Sequence, residues 1–148
     1  MLKQITYFSK ATTLMNFSSL ATLLQQSRRR NLACGVTGML LYFEANSNKS
    51  KQGRFIQVIE GPEAEVDAIY QSIQGDQRHK YITTLNERIV DKRDFSDWVL
   101  GFEFLTRRDI KNNDGLFLLD EDFSKYRNHE YLNIPLNYLK NFYSLRQF

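Results

Sequence analysis

The stretch Arg54–Gly61, Arg-Phe-Ile-Gln-Val-Ile-Glu-Gly, most constrains how this chain can fold. Its dense apolar residues predict a central strand that is buried on both faces. Gln57 lies in the middle of this strand and shares a face with Phe55 and Ile59, because side chains alternate along a strand. A buried amide without partners costs about 1–3 kcal/mol. The core must therefore offer Gln57 either protein groups or a polar ligand.

The pattern along the chain predicts a βαββαββ order. The predicted elements are a strand at Leu2–Ser9, a helix from Asn16 or Ser18 to Arg30, strands at Met39–Phe43 and around Gln57, a helix from Pro62 to Gly75, and strands at Tyr81–Val90 and Trp98–Leu105. The polar stretch Glu44–Gly53 is predicted to be a long hairpin loop. Two right-handed crossovers in this order place both helices on one face of a mostly antiparallel sheet, which is an α+β, ferredoxin-like fold.

Helices on one face would leave the second face of the sheet exposed. The apolar side chains expected there are Phe8, Ile56, Val58 and Leu105. We expect residues 106–148, which include a predicted final helix at Pro135–Leu145, to cover this face, or a second subunit to do so. The chain is thus divided into a domain at 1–105 and a C-terminal helical extension at 106–148, and a homo-oligomer is expected.

Composition excludes several classes of protein. A length of 148 residues suits one domain, and a net charge of +3 permits nucleic-acid binding without favouring it. Cys34 is the single cysteine, so no internal disulfide can form and no cysteine-based metal site is expected. No run of about 18 apolar residues indicates a membrane span, and the amino terminus reads as a strand rather than a signal peptide. We expect a cytoplasmic protein that binds neither metal nor membrane.

Several polar side chains fall in the layer between sheet and helices. They are Tyr7, Gln57 and Trp98 on strands and Asn31 at the end of the first helix. Each taken alone is most simply a buried residue that bonds to backbone. Four of them from different elements indicate a planar heteroaromatic ligand with donors and acceptors on its edge.

Blocks of this sequence resemble the BLUF family, blue-light sensors that bind a flavin. The matching blocks are Ile5–Ser9, Asn31–Tyr42, Arg54–Gly61, Asp76–His79 and Phe95–Phe102, in that order along the chain. The second and third blocks are specific together, whereas either one alone is a weak signal. The resemblance covers about residues 1–105.

The resemblance implies a flavin, FAD with FMN as the alternative, and a light-driven rearrangement of hydrogen bonds. Tyr7 would be the electron and proton donor to the photoexcited flavin. Gln57 would bridge Tyr7 and the flavin, and the rearranged amide would shift the flavin absorption to the red. Asn31 would hydrogen-bond the ring edge, and Arg78 and His79 would lie near the far side of the ring.

Other residues carry supporting roles in this reading. The further candidate flavin-binding residues are Leu24, Ser27, Arg30 and Ile69. Ser9 and Trp98 would compete to orient Gln57, and Leu100 would lie next to the photoactive pair without touching the flavin. Leu100 stands where most family members have Met, which bears on signal relay and dark recovery, and Arg30 stands where some members have a second Asn.

The predicted function is a non-enzymatic photoreceptor that signals to an unidentified downstream regulatory protein. The alternative is a ferredoxin-like RNA-binding module, which would use aromatic residues on an open sheet face. The aromatic signature of such modules is missing, and the polar residues lie in the helix–sheet layer instead. A small hydrolase has less support, because no arginine loop that would cradle a phosphate is present.

Overall fold

A computed structural model describes residues 1–47, 50–97 and 99–105 of the chain. Within these ranges the strands and helices follow one another in the predicted βαββαββ order. The elements are β1 (Leu2–Ala11), α1 (Phe17–Cys34), β2 (Thr37–Ser47), β3 (Ser50–Pro62), α2 (Glu63–Gln74), β4 (His79–Val90) and β5 (Gly101–Leu105).

The strands form one sheet in the order β4-β1-β3-β2-β5. β1 pairs antiparallel with β3 and β4, and β2 pairs antiparallel with β3, whereas β5 is parallel to β2. Both helices pack on one face, since Leu20 of α1 clusters with Phe55, Ile69 of α2 clusters with Ile59, and Phe55 and Ile59 share a face of β3. The predicted α+β, ferredoxin-like fold is confirmed, with the Gln57 strand at its centre.

The C-terminal end of α1 corrects the prediction. Asn16 caps the start of the helix through a hydrogen bond from a backbone N–H of the first turn, as predicted. The helix continues to Cys34, one turn beyond its predicted end, and Gly35 then takes the left-handed conformation that closes it, with φ 66°. The placement of Arg28–Arg30 in the last turn is therefore wrong, and Asn31 occupies that turn instead.

The hairpin and the last strand also differ from prediction. Glu44–Gly53 is not a long loop, because β2 and β3 stay paired as far as Ser47 opposite Ser50. Pairing between the strands supplies the backbone of residues 44–47 and 50–53 with hydrogen bonds, although this stretch is polar in sequence. β5 begins at Gly101 rather than Trp98, since α1 side chains bond the carbonyls of the two preceding residues.

The second face of the sheet is buried as well. The side chains there that are at most 1% exposed are Gln4, Thr6, Phe8, Met39, Leu41, Phe43, Ile56, Val58 and Glu60. Residues 106–148, which we expect to cover this face, and the helix predicted at Pro135–Leu145 lie outside the described residues. The boundary at residue 105 remains a prediction.

Candidate functional site

A phenol and an amide meet in the middle of the sheet. Tyr7 on β1 and Gln57 on β3 are direct partners in the antiparallel register, so both side chains leave the same face. The Tyr7 hydroxyl donates a hydrogen bond to Gln57 Oε1, and both residues are buried. Burial raises the pKa of Tyr7, so the phenol keeps its proton. The bond does not involve the two N–H donors of the Gln57 amide.

Asn31 contributes a buried acceptor from the last turn of α1. Its side chain is fully buried, and Nδ2 donates to the backbone oxygen of Val99 at 2.9 Å. Within the described residues, Oδ1 is buried and has no hydrogen-bond partner. An unmade bond at a buried acceptor costs about 1–3 kcal/mol. The Asn31 oxygen therefore indicates a donor that the described residues do not supply.

A cavity lies beside the Tyr7–Gln57 pair, between α1 and the end of α2. Its apolar lining consists of Leu23, Leu40, Phe55 and Ile73. Its polar lining consists of Tyr7, Ser27, Arg30, Gln57, Asp76, Arg78 and His79. Apolar walls with a few convergent polar groups are typical of sites for small molecules.

Arg78 and Asp76 form an ion pair at the rim of this cavity. The guanidinium binds the carboxylate through Nη2 at 2.6 Å and Nε at 3.0 Å, and the backbone N–H of Arg78 donates to the same carboxylate at 2.9 Å. These bonds hold the pKa of Asp76 below its ordinary value. Arg30 adds a second guanidinium, whose buried Nε has no partner within the described residues. Two cations against one carboxylate favour an anionic ligand.

Ser9 and His79 are joined by a hydrogen bond behind the cavity wall. His79 Nε2 lies 2.6 Å from the backbone oxygen of Ile73, and Nδ1 lies 2.7 Å from Ser9 Oγ. Because a carbonyl oxygen only accepts, Nε2 must carry a proton. In the neutral ring the Ser9 hydroxyl then donates to Nδ1. The imidazole thereby links the end of α2 to β1 close to Tyr7, whose ring centre is 6.1 Å away.

The structure brings most of the predicted site residues together. Those that line the cavity are Tyr7, Ser27, Arg30, Gln57, Arg78 and His79. Leu24 and Leu100 pack in one core cluster with Phe55, and Ile69 packs in another with Tyr7, so these three support the walls rather than form them. Trp98 lies outside the described residues.

Sequence reasoning missed part of the lining. The missed residues are Leu23, Leu40, Phe55, Ile73 and Asp76. Phe55 shares a strand face with Gln57, and Leu23 lies one helical turn before Ser27. Strand and helix periodicity could therefore have predicted both residues as part of the lining. Leu40 is the register partner of Gln57 on β2, which only the structure shows.

The sequence matches the BLUF family, described as sensors of blue-light using FAD, over residues 2–101. The chain belongs to the BLUF family. Its relatives include the photoactivated adenylate cyclase subunit beta of Euglena gracilis, 33% identical over 100 residues that make up 67% of this chain and 11% of that protein. The Euglena longa subunit beta is 31% identical over the same shares. This BLUF chain thus spans about a tenth of the length of these relatives.

Several solved structures share its fold. BlrB, a BLUF protein in its dark state, has a TM-score of 0.67 at 26% identity, with 92% of this chain and 96% of that chain covered. BlsA in its ground state has a TM-score of 0.72 at 25% identity, with 95% and 88% covered. A bacterial light-regulated adenylyl cyclase has a TM-score of 0.71 at 26% identity, with 86% and 35% covered.

The family assignment confirms the prediction of a flavin-binding blue-light photoreceptor. No comparison supports the alternative of an RNA-binding module. The lining of the cavity suits a flavin, because apolar walls suit a planar ring and a net positive charge suits a phosphate. The predicted residue Asn31 is not part of this lining, but it follows the lining residue Ser27 by one helical turn and carries the unpartnered acceptor. Within the described ranges, no group of side chains suits a metal ion, and no helix is long and apolar enough to cross a membrane.

Proposed function

We propose that this BLUF domain senses blue light through FAD bound in the cavity beside Tyr7 and Gln57. The observation that carries the proposal is the buried hydrogen bond from the Tyr7 hydroxyl to Gln57 Oε1 at the cavity wall. A bound flavin supplies absorption of blue light and, once excited, a strong oxidising pull on a nearby phenol. The residues around it convert that event into a change of hydrogen bonds.

Tyr7 and Gln57 are the photoactive pair. A phenol that loses an electron becomes strongly acidic, and its proton leaves along the existing bond towards Gln57 Oε1. The Gln57 amide has an acceptor at one end and donors at the other, so rotation or tautomerisation reverses its hydrogen-bond pattern. Each bond contributes about 0.5–1.5 kcal/mol net, so the two patterns are close enough in free energy for the dark state to return.

Other residues hold the cofactor. Asn31 Oδ1 is the acceptor for the ring edge, and Arg30 and Arg78 provide the positive charge. A groove of about 490 Å³ adjoins the cavity through Arg78 and is lined by hydroxyl side chains, namely Thr12, Thr13, Ser18, Ser19 and Thr22. This groove supports FAD over FMN, because hydroxyl and guanidinium donors suit a tail of ribose and phosphates.

The domain has no catalytic activity of its own and passes its signal by protein contact, to a separate cytoplasmic regulator or through a homo-oligomer. Support comes from the match to BlrB and BlsA, whose solved chains are covered to 96% and 88%. The relatives named adenylate cyclases are matched over 11% of their length. Size-exclusion chromatography in darkness and under blue light tests the oligomer, and a stable monomer in both would refute signalling through a homo-oligomer.

Absorption spectroscopy tests the proposed function directly. Purified protein, reconstituted with FAD and in parallel with FMN, should retain FAD preferentially and show the bands of an oxidised flavin. Blue light should shift these bands to the red, and darkness should reverse the shift. Protein that retains neither flavin, or a flavin spectrum that light leaves unchanged, would refute the proposal.

A further inference from the structure

Glu60 is a carboxylate buried on the face of β3 that is opposite to Gln57. It follows Gln57 by three residues, and side chains at an odd spacing on a strand leave opposite faces. Its exposure is 0%. A buried carboxylate is tolerated only where donors surround it, so its partners reveal its role.

The groups that hold Glu60 are all donors, and two belong to the backbone of one connection. The backbone N–H of Asp94 donates to Oε2 at 3.0 Å, and the backbone N–H of Phe95 donates to Oε1 at 2.5 Å. The Gln4 amide of β1 donates to Oε2 at 2.9 Å. Glu60 therefore ties the start of the β4–β5 connection, described at residues 91–97 and 99–100, to β1 and β3.

Neighbouring contacts fasten the same end of this connection. The Arg93 guanidinium donates to the backbone oxygen of Gly35 at 2.7 Å and to Thr37 Oγ1 at 3.0 Å. The Phe95 side chain is fully buried. The connection is thus held against the C-terminal cap of α1 and the first residue of β2.

The far end of the connection is held by α1. Asn31 Nδ2 donates to the backbone oxygen of Val99, and Arg28 Nε donates to that of Leu100 at 3.0 Å. Asn31 is the residue whose second amide atom, Oδ1, faces no protein partner within the described ranges. One end of the connection therefore depends on Glu60 of β3, and the other end holds Asn31, the proposed acceptor for the flavin ring.

We propose that Glu60 is a positioning residue that holds the β4–β5 connection in place, and thereby Asn31, so that it controls how fast the light-adapted state returns to the dark state. The inference rests on the proposed photoreceptor function. With the near end released, the carbonyl of Val99 is less constrained and the Asn31 amide is freer to turn. Rearrangement back to the dark pattern then meets a lower barrier, and recovery becomes faster.

The test is the dark-recovery rate of the flavin-bound Glu60→Gln variant after a blue flash. The substitution keeps the volume but turns an amide N–H₂ towards groups that are all donors. Recovery should be about tenfold faster, the rate change that corresponds to one net hydrogen bond. The dark spectrum and the size of the red shift should stay as in the unaltered protein, because the Tyr7–Gln57 bond lies on the other face.

Matched variants make the outcome decisive. Glu63→Gln removes the same charge from an exposed position in the first turn of α2 and should recover at the unaltered rate. Arg93→Ala removes the hydrogen bonds from Arg93 to Gly35 and Thr37 and should also speed recovery. This variant tests the role of the connection if Glu60→Gln fails to fold. Unaltered recovery in the folded variants would overturn the role of Glu60. An unaltered protein without a light response would instead refute the proposed function.

Discussion

A double-mutant cycle on Tyr7 and Gln57 gives the sharpest energetic prediction. Tyr7→Phe leaves the buried Gln57 Oε1 without its donor, and Gln57→Leu leaves the buried Tyr7 hydroxyl without its acceptor. The two residues are only 3% and 4% exposed, so water cannot easily replace the lost partner. Each single substitution should therefore lower the free energy of unfolding by about 1–3 kcal/mol.

The double variant should behave differently from the sum of the two. With both polar groups replaced by apolar ones, no buried donor or acceptor is orphaned, and the penalty that each single variant carries disappears. We expect the two substitutions to couple by about 1–2 kcal/mol, within the range seen for residues in direct contact.

Urea unfolding at one fixed excess of flavin provides the free energies, and absorption spectra of the same samples provide the photochemistry. All three variants should keep bound flavin and lose the red shift. Strictly additive free energies would show that the Tyr7–Gln57 bond does not exist in solution. A normal red shift in Tyr7→Phe would remove the phenol from the mechanism.

Three further perturbations follow from the structure. A Cβ at Gly38 would lie 2.0 Å from a backbone oxygen of β3, so Gly38→Ala should lower the free energy of unfolding in urea by about 1–3 kcal/mol. The control Gly75→Ala should be neutral or stabilising, because the nearest atom to its Cβ would lie at 3.7 Å. Equal effects of the two substitutions would contradict the close approach at Gly38. Arg78 lowers the pKa of Asp76 below its ordinary value of 3.8. Their ion pair therefore stabilises the fold fully when the pH is above that ordinary pKa, and the stabilisation is lost as the pH falls through the lowered pKa. Asp76→Asn should therefore be less stable than the unaltered protein at neutral pH, and the gap should close in acid; a gap independent of pH would sink the argument. Leu100→Met conserves volume in a buried cluster, so the free energy of unfolding should change by less than about 1.5 kcal/mol. Flash spectroscopy should show an altered rate of dark recovery in this variant. A larger loss of stability would mean that the cluster cannot repack.

Strand periodicity predicted the centre of this molecule well. A period of two placed Tyr7 and Gln57 on the helix-facing side of their strands, and the order of elements paired those strands as neighbours. The extra turn of α1 escaped prediction, because Leu32 is exposed and gives this turn no core-facing periodicity, and only the cap at Gly35 ends the helix. This turn matters for the site, since it carries Asn31.

Contacts between distant segments could not be predicted in the same way. The acceptor for Asn31 is a backbone oxygen 68 residues away, and Glu60 is held by backbone amides more than 30 residues away. Backbone groups look identical at every position in a sequence, so no residue pattern marks which of them a buried side chain will reach. The presence of a carboxylate, Glu60, in an otherwise apolar strand is the one feature of the sequence that indicates such contacts.

The difference between the paired strands and the β4–β5 connection indicates where a light signal can leave the domain. β3 is paired with β1 over Arg54–Pro62 and with β2 over Ser50–Glu60, so moving it alone would break hydrogen bonds on both edges. Residues 91–97 and 99–100 precede β5 outside the ladder, and their described contacts include side-chain hydrogen bonds with Glu60, Gln4 and α1 and the buried side chain of Phe95. Segments outside a paired sheet open at lower free energy than its central strands. A hydrogen-bond change at Gln57 should therefore be relieved by this connection before it displaces the sheet.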